Sequence, residues 1–132
     1  MSIVSKALLF LYNCPMENQI DFLAIGDIVT DAFIKLKDAE ATCDIDHANC
    51  KLCVRFGDKV PFESVQEIRA VGNSANAAVA AARLGLKSSL LAHVGNDLHG
   101  AEAIEELKKN GVDTHYVYKH DNIPTNYHYV LW

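Results

Sequence analysis

Proline, glycine and basic residues are scarce in this 132-residue sequence, and each shortage excludes a class of protein. Only 3 residues are proline and 7 are glycine, while 50% are hydrophobic, which excludes fibrous and disordered chains. Lysine and arginine number 12 against 17 acidic residues, and no basic block interrupts the sequence. A net charge of −5 without a basic patch argues against a nucleic-acid partner. The length is that of one globular domain.

Long hydrophobic runs are also missing. The longest run near the start covers residues 7–12, far short of the roughly 20 apolar residues that span a bilayer, and no signal-peptide cleavage site follows it. We therefore expect no membrane association and a cytoplasmic location. Residues 1–19 are interpreted as an N-terminal extension, with the true start left open between Met1 and Met16, and residues 20–132 as the folded domain.

An alternation of strand-like and helix-like segments predicts an α/β fold. Apolar runs that end in turns indicate strands, whereas an alanine-rich segment before Gly85 and an amphipathic segment after Asp97 indicate helices. The predicted strands lie around residues 21–25, 64–70, 88–94, 114–118 and 125–132, and the predicted helices cover residues 75–84 and 97–110. Helices in such an order cross over between parallel strands, and the polar, cysteine-rich residues 37–58 are interpreted as a loop or small lid.

Three polar, glycine-containing turns follow the predicted strands, which is where α/β proteins bind their ligands. They are residues 26–31, 71–76 and 95–100. The first turn carries the carboxylates of Asp27 and Asp31. These carboxylates either accept hydrogen bonds from the hydroxyl groups of a polyol or only cap the turn.

The second and third turns begin the two predicted helices. The second turn either holds a polar ligand at the start of its helix or is an ordinary cap made by Asn73 or Ser74. In the third turn, Asp97 is expected to cap the helix and Gly100 to allow close packing. Each of the three turns is therefore a candidate ligand-binding element, and the alternative for each is an ordinary turn or helix cap.

A set of spaced glycines links these turns to a known family. The phosphate-binding patterns G-x-x-x-x-G-K-[ST] and G-x-G-x-x-G are absent from the sequence, which argues against P-loop and dinucleotide-binding proteins. Instead, the pattern Gly72-x-x-x-Asn76-x-Ala78, followed by Gly85 and Gly95, resembles the first signature of the PfkB/ribokinase-like carbohydrate kinases. The G-x-D-x-x-G segment that starts at Gly95 also matches the family pattern.

The resemblance extends from about residue 21 to residue 132 and implies a fold and a binding site. The implied fold is a ribokinase-like, Rossmann-type three-layer α/β core, of which this chain is the N-terminal part, with a small β lid at about residues 32–70. Lid strands in this family often pair two subunits into a homodimer. The implied sugar-binding residues are Asp31, Gly72, Asn73 and Asn76, and Asp27 and Thr125 are further candidate contacts.

The activity that the resemblance implies is transfer of the γ-phosphoryl group of ATP to a hydroxyl of a sugar or nucleoside, with Mg²⁺. The second signature of the family, an Asp-Thr-x-Gly-Ala-Gly-Asp type segment that carries the catalytic base, occurs nowhere in these 132 residues. We therefore assign no catalytic residue in this chain. We expect this chain to be the substrate-binding portion of a longer kinase and to be inactive alone, with ATP and Mg²⁺ bound mostly outside it. The sequence does not identify which sugar or nucleoside is the substrate or which hydroxyl is phosphorylated.

Four potential zinc ligands lie close together in the predicted lid. Cys43, His47, Cys50 and Cys53 form the pattern C-x3-H-x2-C-x2-C. Because a cytoplasmic location is reducing, we expect free thiols or a structural Zn²⁺ in preference to a disulfide. A rival hypothesis is a non-catalytic binding or zinc-stabilised interaction module that keeps only a kinase-like fold.

Overall fold

A computed structural model describes residues 19–37, 39–46 and 48–132, so nearly all of the predicted extension over residues 1–19 lies outside the described residues. Within these ranges no helix is long and apolar enough to cross a membrane. The elements, in chain order, are β1 (Phe22–Ile25), β2 (Val29–Leu36), β3 (Glu40–Cys43), β4 (Cys50–Cys53), β5 (Phe62–Val71), α1 (Asn73–Arg83), β6 (Ser88–Gly95), α2 (Leu98–Lys109), β7 (Val117–His120) and β8 (Asn126–Leu131).

Three parallel strands form the core sheet, in the order β1-β6-β7. Phe22 of β1 lies opposite Ser88 of β6, and Ala92 of β6 lies opposite Val117 of β7. α2 connects β6 to β7, as a crossover between neighbouring parallel strands requires. The α/β prediction, with helices crossing between parallel strands, is confirmed for this sheet.

The two helices pack on one face of the core sheet because their apolar residues are small and regularly spaced. Ala75, Ala78 and Ala81 recur every three residues along α1, and all three are buried. Their small side chains let the helix approach the sheet closely. The shared core consists of Ala24, Leu90, Ala92 and Val94 from the sheet, with Ala75, Ala78, Ala103 and Leu107 from the helices. On the opposite face Leu23 and Ile25 are exposed, so within the described residues the helices cover only one face of the core sheet.

A second sheet contains β2 at its centre, in the order β5-β2-β8. β2 runs antiparallel to β5 and parallel to β8, and β3 and β4 form a separate antiparallel hairpin between β2 and β5. The region predicted as a lid, at about residues 32–70, therefore consists of the β3–β4 hairpin together with β2 and β5, which share their sheet with β8. The sequence could not predict this partner, since β8 lies far along the chain from β2.

The chain crosses between the two sheets three times. It does so between β1 and β2, between β5 and α1, and between β7 and β8. At the second crossing the backbone takes unusual conformations, with φ of 56° at Ala70 and 115° at Gly72. The first two polar turns lie at the first two crossings, and the third turn, between β6 and α2, is hydrogen-bonded to Thr125 at the third crossing.

Candidate functional site

The first two polar turns lie against each other at the carboxyl end of the core sheet. Ser74, in the first turn of α1, donates its hydroxyl hydrogen to the carbonyl oxygen of Asp27 at 2.7 Å. Gly72 approaches the same carbonyl so closely that a Cβ there would stand 3.2 Å from its oxygen. Its positive φ also favours glycine. Residues 26–27 and 72–74 therefore form one continuous polar surface.

Asn73 and Ser74 do not cap α1, so that interpretation of the second turn is wrong. The N-cap residue is Gly72, which makes no side-chain hydrogen bond, and the Ser74 hydroxyl is engaged with Asp27. The exposed side chains of Asn73 and Asn76 stand one helical turn apart and make no hydrogen bond to any described residue. Their amides are therefore available to a polar ligand.

Asp31 lies in β2 two residues after Val29, whose partner across the sheet is Val71, the residue before Gly72. It lies five residues after Gly26, and its partner across the sheet is Ile68, four residues before Gly72. Its partner on the other side is His128 of β8, whose Nδ1 stands 3.3 Å from Oδ1 of Asp31. The Asp31 side chain is 27% exposed, so its carboxylate remains accessible to a ligand.

The contact of His128 with Asp31 is one that the sequence did not reveal. Its place beside Asp31 follows from the parallel register of β2 and β8, which joins two distant segments of the chain. Alternation along β8 indicates which residues share a face, but it carries no signal for the strand that will lie beside them. Only the tertiary pairing brings the imidazole to the carboxylate.

The third turn is built around the carboxylate of Asp97. This carboxylate accepts hydrogen bonds from the Gly100 amide at 2.8 Å and from Thr125, through the amide at 2.8 Å and the hydroxyl at 2.7 Å. Since the backbone bond from Thr125, the backbone bond from Gly100 and the Thr125 hydroxyl all favour the charged form, they lower the pKa of Asp97. Asp97 is the N-cap residue of α2, which confirms the predicted cap.

Two glycines allow these groups to come together. A Cβ on Gly95 would stand 2.6 Å from Oδ2 of Asp97, and one on Gly100 would overlap the carbonyl oxygen of Gly95, so the predicted close packing at Gly100 is confirmed. Thr125 is 5% exposed, and its hydroxyl also accepts from the Gly95 amide at 2.9 Å. That hydroxyl is occupied within the fold, and contact between Thr125 and a substrate stays a prediction.

The other face of the second sheet is tied to α2 by charged and aromatic groups. Tyr127 donates its hydroxyl hydrogen to Glu67 at 2.7 Å, and Arg69 bonds both to Glu67 at 3.0 Å and to Glu102 of α2 at 2.8 Å. The hydrogen bond to Glu67, with a further contribution from desolvation, raises the pKa of Tyr127 to about 12. These contacts hold the sheet against the helix and leave Asp31 on the opposite face.

The cysteine cluster forms a disulfide instead of a zinc site, which corrects both expectations for it. Cys43 and Cys50 lie directly opposite each other in the β3–β4 hairpin and are joined by an S–S bond of 2.07 Å. Their sulfurs are therefore not available as two thiolate ligands. Cys53 is exposed and free, His47 lies outside the described residues, and the described ranges hold no group of three or more metal-ligating side chains.

Comparison with known proteins places this arrangement among carbohydrate kinases. The pattern of the pfkB family of carbohydrate kinases matches residues 45–131. The chain is 48% identical over 63 residues to the ribokinase of Bacillus subtilis, covering 48% of this chain and 21% of that protein. It is 46% identical over 48 residues to the ribokinase of Mus musculus, covering 36% of this chain and 15% of that protein.

The fold itself is similar to that of an Arabidopsis thaliana ribokinase solved in complex with ribose and ATP. The TM-score is 0.70 at 22% identity, and the match covers 86% of this chain. It covers 32% of the Arabidopsis chain, so this chain spans about a third of that structure's length. The described part of this chain therefore has a ribokinase-like fold.

Proposed function

This chain belongs to the pfkB family of carbohydrate kinases, and from that premise we propose that it is the N-terminal, substrate-binding portion of an ATP-dependent sugar or nucleoside kinase. The observation that carries the proposal is the position of Asp31. Its carboxylate is partly exposed on β2, the strand that follows the first polar turn and pairs with β5, which leads into the second turn. A polyol seated at the boundary between the sheets has an anionic acceptor on one side and backbone and amide groups on the other.

Each proposed residue has a distinct part in holding the substrate. The Asp31 carboxylate accepts hydrogen bonds from sugar hydroxyl groups, and such charge-assisted bonds are stronger than neutral ones. The amides of Asn73 and Asn76 both donate and accept, which suits hydroxyl groups. Gly72 lets the sugar approach the backbone closely, and Asp27 contributes a second carboxylate near Gly72.

Phosphoryl transfer needs groups beyond those of this chain. ATP with Mg²⁺ would supply the γ-phosphoryl group and neutralise its charge, and we place their site mostly outside these 132 residues. The part played by this chain is to fix the acceptor hydroxyl and to cover the sugar with the second sheet. We further propose that the enzyme pairs as a homodimer through β5 or β8, the edge strands of that sheet within the described residues. A cytoplasmic location stays a prediction, and the Cys43–Cys50 disulfide argues against it because that compartment is reducing.

The test is calorimetric binding of D-ribose, D-fructose and adenosine to the polypeptide and to Asp31→Asn. Loss of one or two charge-assisted hydrogen bonds, each about 1.5–3 kcal/mol, should raise the Kd by roughly 10-fold to 100-fold or more. Asp58→Asn is the matched control, since Asp58 lies in an exposed loop beside the hairpin and its carboxylate contacts only local groups among the described residues, the Lys59 amide at 2.9 Å and Arg55 at 3.7 Å. An unchanged Kd in Asp31→Asn would remove Asp31 from the site.

A further inference from the structure

We propose that His128 is a second sugar-recognition residue, and this inference rests on the function proposed above. Its Nδ1 lies 3.3 Å from Oδ1 of Asp31, and the two residues are direct partners on neighbouring strands. The His128 side chain is 59% exposed, so the ring is open to a ligand. Any substrate that reaches the Asp31 carboxylate also meets this imidazole.

The carboxylate determines what the ring offers to a substrate. We assign to the neutral ring the tautomer that carries its hydrogen on Nδ1, the nitrogen nearer the carboxylate, which leaves Nε2 as an acceptor. Asp31 and His128 then present two neighbouring acceptors, an oxygen and a nitrogen. We infer that each receives the hydrogen of a different hydroxyl group of the same sugar.

Acid should weaken this recognition. Protonation places a hydrogen on Nε2, removes that acceptor and binds the cationic ring more firmly to Asp31 in competition with the sugar. The residues opposite Asp31 and Phe33 on β5 are Ile68 and Gln66, which do not titrate. The next charged group along this face of β2 is Lys35, which is paired with Glu63 at 2.8 Å.

The experiment measures Kd by calorimetry for the same three ligands at pH 8.0 and pH 5.5, which lie on either side of the ordinary histidine pKa of about 6.5. His128→Ala should weaken binding about tenfold at the higher pH. His128→Gln should keep most of the affinity, since its amide can still accept, but should lose the acid-induced weakening. His115→Ala is the control, because His115 lies with Lys87 and Ser88 at the other end of the core sheet.

The outcomes separate this inference from the proposed function. If Asp31→Asn loses binding while His128→Ala matches the parent at both pH values, the role of His128 is overturned and the sugar site stands. If His128→Gln weakens in acid as much as the parent, the acid effect belongs to another group and the inference also fails. If the parent binds none of the three ligands, the proposed function and the inference are both overturned.

Discussion

Replacing Asp97 by alanine should destabilise the whole domain, because one carboxylate joins the end of β6, the start of α2 and the start of β8. Alanine leaves the Gly100 amide without its cap and deprives the buried Thr125 of two acceptors. An N-cap contributes about 1 kcal/mol, and each hydrogen bond to a charged acceptor about 1.5 kcal/mol or more. Since Asp97 is partly exposed, water recovers some of this, and we expect a loss of about 2–3 kcal/mol.

Thermal unfolding followed by circular dichroism is the assay. For a domain of this length, that loss corresponds to a Tm lowered by about 10 °C. Asp121→Ala is the matched control, because Asp121 is exposed nearby and accepts one hydrogen bond, from Asn96 at 2.8 Å. Its Tm should change by no more than about 2 °C. If Asp97→Ala and this control have the same Tm, the idea that the network joins the three elements is refuted.

The same carboxylate predicts a pH dependence with a definite sign. The pKa of Asp97 in the folded chain lies below its ordinary value of 3.8, so its stabilisation is complete above pH 3.8 and is lost as the pH falls through the lower folded value. Asp97→Asn does not titrate. The Tm difference between parent and Asp97→Asn should therefore be constant near neutral pH and should narrow below pH 3.8.

Two further predictions concern single side chains. In a spectrophotometric titration, Tyr127 should ionise near pH 12, later than an ordinary tyrosine, and Glu67→Gln should remove most of this delay; a titration unchanged by Glu67→Gln would contradict the assigned hydrogen bond. When the denatured but unreduced chain is alkylated, mass spectrometry should find the label on Cys53 and not on Cys43 or Cys50. Label on all three would show that the hairpin is reduced.

The features that could be predicted from the sequence are local ones. The alanine run of α1, the amphipathic pattern of α2 and the Asp97 cap each depend on residues a few positions apart, and the structure confirms all three. The glycines at 95 and 100 were recognised by their spacing, and their close contacts explain why that spacing matters.

The features that could not be predicted depend on register between strands. The position of His128 beside Asp31 is set by the pairing of β2 with β8, and the disulfide by the pairing of β3 with β4. The spacing of Cys43 and Cys50 is compatible with either a metal or a disulfide, and only the antiparallel register places the two side chains opposite each other. The cap by Asn73 or Ser74, one of the two interpretations of the second turn, fails for a similar reason, since the partner of Ser74 is the carbonyl of Asp27, 47 residues away in the sequence.

Because the chain crosses between the sheets three times, we expect the two sheets to unfold together. The second sheet is hydrogen-bonded separately from the core sheet, yet it cannot detach without breaking the bond between Ser74 and Asp27 or the bonds between Thr125 and Asp97. A ligand that binds only the folded form stabilises every element that unfolds with its site. A sugar held by Asp31 would therefore slow hydrogen exchange throughout the core sheet, including strands that it never touches.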